Sequence, residues 1–334
     1  MVALSSSSYQ INSYGFGSGG TGGSSSATYK LNATTGETSN QQSGSATYLS
    51  RPGNVNEQQA YVPAAPTFTN TASYYNKLRF IVTPGASPSD TKFSIAISTD
   101  NFVTTNYIQL DDTIGASKVY QTYAGWGSST GQLVVGLAIN TTYKIKVNAI
   151  QGNFTETEYG PTATAATVAP SISFDIDISA SNVDTSPPYI LTFPSLLPTT
   201  VVNTNEKIWV DLDTNAESGA SVYITSANGG LHSNHTGYTI ASATADLASA
   251  ASGFGAQDLT ATQTSGGPLT IVSPYNGASQ NVGILNSTLK QLFTAAAPIV
   301  AGRGSVQIKA KAATSTPAAN DYGDTLTLTT AGTF

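Results

Sequence analysis

Acidic residues at alternating positions are the pattern in this sequence that most resembles an ion-binding site. Segment 211–219 places Asp, Asp, Asn, Glu and Gly at every second position, as calcium loops do. The EF-hand pattern fails, because Ala216 and Val222 stand where Gly and Glu are required. The same spacing also fits a strand with an acidic outward face. If two such strands are neighbours, calcium could relieve the repulsion among four carboxylates, those of Asp175, Asp177, Asp211 and Asp213.

No combination of nucleophile and base in the chain indicates an enzyme. There is no cysteine and no Gly-x-Ser-x-Gly elbow, and His232 and His235 are the only histidines. Gly17, Gly19 and Gly22 match the dinucleotide fingerprint in letters, but no helix is predicted after them. A glycosidase with paired carboxylates has no local motif and stays open. The sequence predicts a protein that is not an enzyme and has no cofactor other than calcium.

The charge content and the lack of long apolar runs exclude two classes of partner. The 334 residues include 13 Lys and Arg against 19 Asp and Glu, and charged residues make up 10% of the chain. Binding to nucleic acid needs clustered positive charge, so a nucleic-acid partner is not expected. No run of 18 apolar residues occurs, so no membrane span is expected either. The low charge and the abundant Ser, Thr, Gly and Tyr favour an extracellular or cell-surface location, although no signal peptide is visible at the start.

Residues 1–60 form an extended N-terminal segment rich in Ser and Gly. Short Ser-rich echoes recur about every 20 residues, each with a Tyr and most with an aliphatic residue two positions later. That spacing puts both side chains on one face of a strand. Because the segment has little apolar mass, its strands need another sheet to join.

Residues 66–168 are predicted to form a compact β-domain. Apolar residues alternate with polar ones in three stretches, and Gly, Pro and Asn turns separate the stretches. The alternating residues are Leu78, Phe80 and Val82; Phe93, Ile95 and Ile97; and Tyr143, Ile145 and Val147.

The stretch 137–149, LAINTTYKIKVNA, resembles the sixth-strand region of fibronectin type III domains. The resemblance implies that Leu137 and Tyr143 form the corner that locks a crossing loop. No Trp occupies the second-strand candidate, where Phe80 stands instead. The resemblance covers about a hundred residues and implies a fold rather than a function.

Residues 171–334 are predicted to form a larger β-sandwich. Strand alternation is clear in 174–178, 208–212, 306–310 and 325–329, and the polar turn 215–219 predicts a hairpin. Two short helices are also expected, at about 243–251 and 287–296, because Ala-rich or capped stretches there end at Gly253 and Pro298. The fold class is therefore all-β, with tandem β-sandwiches after an extended N-terminal segment of strands.

Three short stretches resemble exported surface proteins of small-genome, uncultivated bacteria. They are the Ser-Ser-x-x-Tyr echoes, 209–216 (WVDLDTNA) and 320–327 (NDYGDTLT). The last also resembles the final strand of fimbrial and spore-coat subunits. This resemblance implies an extracellular structural role.

Three hypotheses about function follow. The first is a structural subunit of an extracellular polymer, a filament or a surface layer, in which the N-terminal strand adds to a neighbour's sheet. Its expected anchors are Val2, Leu4, Tyr9 and Ile11. The second is a monomeric adhesin that binds surface glycans through loops or tyrosines such as Tyr9, Tyr29, Tyr48, Tyr74 and Tyr75. The third is a secreted hydrolase.

Deletion of residues 1–23 distinguishes the first hypothesis from the others. We expect a folded monomer that no longer polymerises, because the strand that would join the next subunit is gone. Negative-stain electron microscopy and light scattering would measure this. Continued assembly of the truncated protein would contradict the polymer hypothesis.

Overall fold

The computed structural model describes residues 60–152 and 156–334, and within the first 59 residues only the backbone of six short strands. The six strands pair in order as three antiparallel two-stranded ladders. They are β1 (Leu4–Ser5), β2 (Gln10–Ile11), β3 (Gly19–Ser25), β4 (Lys30–Thr35), β5 (Ser43–Gly44) and β6 (Leu49–Ser50).

The chain divides into two compact units, Met1–Ala169 and Pro170–Phe334. The first contains a β-sandwich of two antiparallel sheets, ordered β13-β8-β7 and β11-β10-β9-β14-β15, with β12 also paired to β9. Its strands are β7 (Thr67–Thr69), β8 (Leu78–Ile81), β9 (Lys92–Ser98), β10 (Asn106–Ile108), β11 (Ile114–Gly115), β12 (Gln121–Thr122), β13 (Gln132–Val134), β14 (Thr142–Ile150) and β15 (Ala163–Ala166). A single 3₁₀ turn, Ser128–Thr130, is the helical element of the described part of this unit.

The alternating residues predicted for this unit form its core. All nine, from Leu78 to Val147, are buried in one cluster between the two sheets. Period-two alternation therefore identified the inward faces of β8, β9 and β14 correctly.

Trp126 fills the centre of this core from outside the regular strands. Its side chain is fully buried and meets the Phe80 ring edge-on, with ring centroids 5.8 Å apart. Its indole Nε1–H donates to the Phe93 carbonyl at 2.8 Å, so the buried polar atom is satisfied. Phe80 thus does not replace a core Trp but packs against one.

Tyr143 makes the contact that the family resemblance implied. Its hydroxyl accepts a hydrogen bond from the Ala138 amide at 2.8 Å, and the neighbouring Leu137 is buried. The bond ties the loop before β14 to the start of that strand.

The second unit is a larger sandwich. One sheet runs β16-β18-β28, with β17 beside β28 and with β23 and β24 also paired to β28, and the other runs β25-β27-β19-β29. Two small ladders, β20-β21 and β22-β26, complete the described strands. Their bounds are β16 (Ile172–Ser179), β17 (Val201–Asn203), β18 (Lys207–Thr214), β19 (Ala220–Ser226), β20 (Gly230–His232), β21 (Thr239–Ala241), β22 (Ala245–Asp246), β23 (Gly253–Thr262), β24 (Ser265–Gly266), β25 (Leu269–Ile271), β26 (Asn281–Val282), β27 (Lys290–Ala295), β28 (Ile299–Lys311) and β29 (Leu326–Gly332).

The all-β prediction is confirmed, but both predicted helices are wrong. The stretch 243–251 contains β22 and then one turn, closed by the Ala250 amide on the Asp246 carbonyl at 3.0 Å. The stretch 287–296 contains β27, which lies between β19 and β25 and buries Leu292 and Phe293. Packing into the sheet overrides a weak local helix preference.

The hairpin predicted at 215–219 is also wrong. The flanking strands β18 and β19 belong to different sheets, so the turn crosses from one layer to the other. The crossing lets Val210 of β18 and Val222 of β19 face the same core from opposite sides.

Among the described residues, no helix has the length and apolar character that a membrane span requires.

Replacing Tyr143 by Phe tests the corner. We expect the free energy of unfolding of the N-terminal unit to fall by about 1 kcal/mol, because the Ala138 amide loses its acceptor. Denaturant unfolding followed by Trp126 fluorescence measures this. Tyr123→Phe is the matched control, since no hydrogen bond is recorded for the Tyr123 hydroxyl among the described residues. Equal stability of the two variants would show that the corner adds nothing.

Candidate functional site

An apolar groove lies on the C-terminal sandwich. Its volume is about 850 Å³, within the usual range of about 300–1,000 Å³ for binding pockets. We call it the β16–β29 groove, because inward side chains of these two strands line it. Apolar lining residues include Ile176, Ile178, Leu191, Phe193, Leu196, Leu231, Ile240, Phe254, Ile308, Tyr322, Leu326 and Leu328.

The groove exists because β16 and β29 are edge strands of the two sheets. In the central strand β18, Val210 and Leu212 are 0% exposed. In β16, Phe174 and Ile176 also face inward but are only half-buried. Leu326 and Leu328 of β29 face inward and are half-buried as well. The sandwich therefore has too few strands on this side to cover its own inner faces.

The lining of the groove is suited to apolar contact rather than to catalysis. Among the described residues that line it, Asp324 is the only charged one. Its carboxylate already accepts bonds from the Ser226 hydroxyl at 2.5 Å and from the Asn228 amide at 3.0 Å. The Tyr322 hydroxyl donates to the Pro317 carbonyl at 2.9 Å. The described lining contains no Cys, His, Lys or Arg.

The four predicted calcium ligands lie on or beside one sheet face, but a protein cation occupies its centre. Asp175 of β16 is paired with Asp211 of β18, which is paired with Arg303 of β28. The Arg303 Nη1 donates to Asp177 Oδ2 at 2.7 Å and also bonds Asp211 Oδ2. The repulsion that suggested calcium is thus relieved by a guanidinium.

The other two aspartates bind main-chain amides. Asp213 Oδ1 accepts from the Ala301 amide at 2.7 Å, and Asp175 Oδ1 accepts from the Ile176 amide at 2.8 Å. Within residues 60–152 and 156–334, no group of three or more acidic, His or Cys side chains is arranged to hold a metal ion. Calcium binding stays a prediction, and this geometry does not support it.

Arg303 lowers the pKa of both partner carboxyls, but burial has the larger influence on each. Burial raises the pKa of Asp177, but the Thr185 amide and the Arg303 guanidinium outweigh it and hold the pKa below its ordinary value. For Asp211, burial is the largest influence and raises the pKa, and Arg303 only partly offsets it. The arginine lies over the Trp209 ring, with Cζ 5.5 Å from the centroid, and its Nε donates to Asn182 at 2.8 Å.

The predicted assembly anchors are only partly described. In β1 and β2, Leu4 lies opposite Ile11 and Ser5 lies opposite Gln10. Val2 and Tyr9 lie outside the described residues.

The described tyrosines of the adhesin hypothesis and the two histidines make contacts within their own units. Tyr75 is buried, and Tyr74 lies under Lys77, whose Nζ is 4.8 Å from the ring centroid. Tyr9, Tyr29 and Tyr48 lie outside the described residues. The His232 Nδ1 is hydrogen-bonded to the Thr239 hydroxyl at 2.8 Å, and the His235 amide donates to Asp321.

Sequence reasoning missed the groove and Arg303. The alternation of Phe174, Ile176 and Ile178 was visible, and so was that of Leu326 and Leu328. The alternation does not show that both strands are edge strands on the same side of the sandwich. A lone Arg gives no local signal either, because its partners are 92 and 126 positions away in the chain.

Comparisons with known proteins find similar solved structures at low sequence identity. No family model and no curated protein matches the chain. One similar solved structure is a two-domain fibronectin type III segment from chicken tenascin, with 12% identity, coverage of 80% of this chain and 98% of that chain, and a TM-score of 0.23. Another is the C-terminal domain of the AgI/II polypeptide BspA from Streptococcus agalactiae, with 11% identity, coverage of 80% and 96%, and a TM-score of 0.20. Likenesses of this size carry no inference about function.

Replacing Arg303 by Met tests the charge cluster. At pH 7 we expect the free energy of unfolding of the C-terminal unit to fall by about 3–5 kcal/mol, because buried Asp177 loses its cation. In the wild type the folded pKa of Asp177 is lowered, so its contribution is present above the unfolded value of about 3.9 and is lost below it. In the variant, uncompensated burial raises the pKa of Asp177 in the folded state. The loss of unfolding free energy is therefore smaller at pH 4 than at pH 7.

Denaturant unfolding at both pH values, followed by Trp209 fluorescence, measures this difference. Arg79→Met is the control, because the Arg79 guanidinium donates to the exposed Thr130 carbonyl. A loss that is the same at pH 7 and pH 4 would contradict the assignment of Arg303 as the partner of Asp177.

Proposed function

We propose that this protein is a structural subunit of an extracellular self-assembling polymer. In the polymer, the N-terminal strand segment of one copy adds to the C-terminal sandwich of the next. Such a contact is heterologous, so it repeats head to tail and yields an open polymer when the rotation between copies does not close a ring. The abundant Ser, Thr and Gly, the low charge and the absence of cysteine fit an exported chain whose subunits are held by buried interfaces.

The observation that carries the proposal is the β16–β29 groove. Inward-facing apolar side chains on two edge strands are only half-buried, although the equivalent residues of central strands are fully buried. An added strand would supply the missing cover through alternate side chains and would gain main-chain hydrogen bonds as well.

The N-terminal segment has the composition that such a groove requires. Residues 1–29 contain no charged side chain. The short ladder β1-β2 places Leu4 and Ile11 in strand conformation, with only two residue pairs in that ladder. So short a ladder is marginal by itself, which leaves it free to exchange for a longer one.

The apolar anchors come in two pairs with strand spacing. Val2 and Leu4 lie two positions apart, and so do Tyr9 and Ile11, so each pair can face the groove from one strand. The two pairs differ in parity, so one residue of the Ser-rich stretch between them has to bulge for both pairs to face the groove. Full burial of one large apolar side chain contributes about 1.5–3 kcal/mol, so the loss of two anchors weakens assembly strongly.

The double variant Leu4→Asp, Ile11→Asp tests the proposal in the full chain. We expect the critical concentration for assembly to rise at least tenfold, because two carboxylates would have to enter an apolar groove. Filament length by electron microscopy and mass by light scattering measure this.

The double variant Ser5→Asp, Gln10→Asp is the matched control. It adds the same two charges at the neighbouring β1-β2 pair, whose side chains face the other way. We expect it to assemble as the wild type does. Wild-type protein that stays monodisperse near 34.3 kDa would contradict the proposal and favour the monomeric adhesin.

A further inference from the structure

We propose that β29, and not β16, is the edge that receives the N-terminal strand, and that the occupant is residues 2–11 of a second copy. This inference rests on the proposed assembly. A subunit whose own segment filled its groove would have no means of joining its neighbour through it.

The main chain of β29 is open on its outer side. The Thr333 amide donates to Gly219 at 3.0 Å, and the Thr325 carbonyl accepts from Ala227 at 2.9 Å, so odd-numbered residues bond to β19. In an antiparallel pair, alternate residues direct their amides and carbonyls away from the partner strand. The outward residues are therefore Leu326, Leu328 and Thr330, and among the described residues their amides have no recorded hydrogen-bond partner.

The corresponding edge of β16 is occupied over its C-terminal half. The Ile176 amide donates to Asp175 Oδ1 at 2.8 Å, and the Ile178 amide donates to the Thr185 hydroxyl at 3.0 Å. Thr185 is itself held in place, since its amide donates to Asp177 Oδ1 at 2.6 Å. An incoming strand would have to displace these bonds, whereas at β29 it would only make new ones.

β29 also lacks the features that usually protect an exposed edge. Natural edge strands are blunted by charged residues, by proline, by bulges or by being very short. The seven residues of β29, Leu326–Gly332, contain no charged residue and no proline, and their pairing with β19 has no register shift. An unprotected edge beside an apolar groove is a site for strand addition.

The side chains of residues 2–11 fit this position. A strand beside β29 would direct every second side chain into the groove, between Leu328 on one side and Ile176 on the other. Val2 and Leu4 have that spacing, and so do Tyr9 and Ile11. A bulge of one residue in the Ser-rich stretch between the two pairs would bring both to the groove. The segment is uncharged, and the one charged lining residue, Asp324, is already hydrogen-bonded.

Disulfide trapping in the polymer tests the edge, because the chain has no cysteine of its own. The donor variant is Ser5→Cys, whose side chain faces away from the groove if Leu4 faces into it. The acceptor variants are Thr327→Cys, Thr329→Cys and Ala331→Cys, all at exposed positions on the outer face of β29. Directly opposite residues on neighbouring strands have Cα atoms about 4.5–5.5 Å apart, which permits a disulfide.

Donor and acceptor proteins carry tags of different mass, are mixed as monomers, assemble under mild oxidation and are compared on non-reducing gels. We expect mixed dimers with at least one β29 variant, at ten times or more the yield obtained with the β16 controls Ser173→Cys and Ser179→Cys. Each variant is first shown to form filaments by electron microscopy.

The other outcomes overturn the inference in distinguishable ways. Filaments that trap at β16 would show that the other edge of the groove receives the strand, and would leave the proposed function standing. Filaments that trap at neither edge would show assembly through another surface, and would contradict the groove as the acceptor of the N-terminal strand. Absence of filaments in the wild type would remove both proposals. A disulfide within one chain of the double variant Ser5→Cys, Thr327→Cys, with no mixed dimers, would show that the segment covers its own groove.

Discussion

A β-sandwich can bury its apolar faces only where strands of both sheets oppose each other, and this requirement governs the C-terminal unit. Central strands such as β18 and β28 meet it, and their inward side chains are excluded from water. On one side the sheets end at β16 and β29, and the inward residues there are only half-buried. Apolar area of this unit therefore stays in contact with water on that side.

The chain has few charged residues, and their positions distinguish the two edges of the groove. Near β16, Asp177 and Arg303 hold the loop after the strand, and Thr185 of that loop accepts a hydrogen bond from the outward Ile178 amide. Near β29 the sequence has no charge after Asp324. One edge is therefore closed by polar side chains, and the other keeps its main-chain groups available.

The N-terminal unit fills its core with a residue from outside the regular strands. Trp126 enters the core from a connecting segment, contacts Phe80 and bonds the Phe93 carbonyl. The buried cluster lies between the two sheets, and the Tyr143 hydroxyl fixes the corner beside it. A connecting segment therefore contributes to this core as the strands do.

The sequence alone determined the all-β class and the inward faces of most strands, because period-two alternation is a local property of the chain. It did not determine the pairing of strands. The stretch 290–295 became a strand because β19 and β25 flank it, and the turn at 215–219 crosses between sheets because both neighbouring strands face one core. The tertiary structure alone showed that Arg303 stands where calcium was predicted, and that β16 and β29 border one groove. Both depend on contacts between residues about a hundred or more positions apart, which no local pattern of residues encodes.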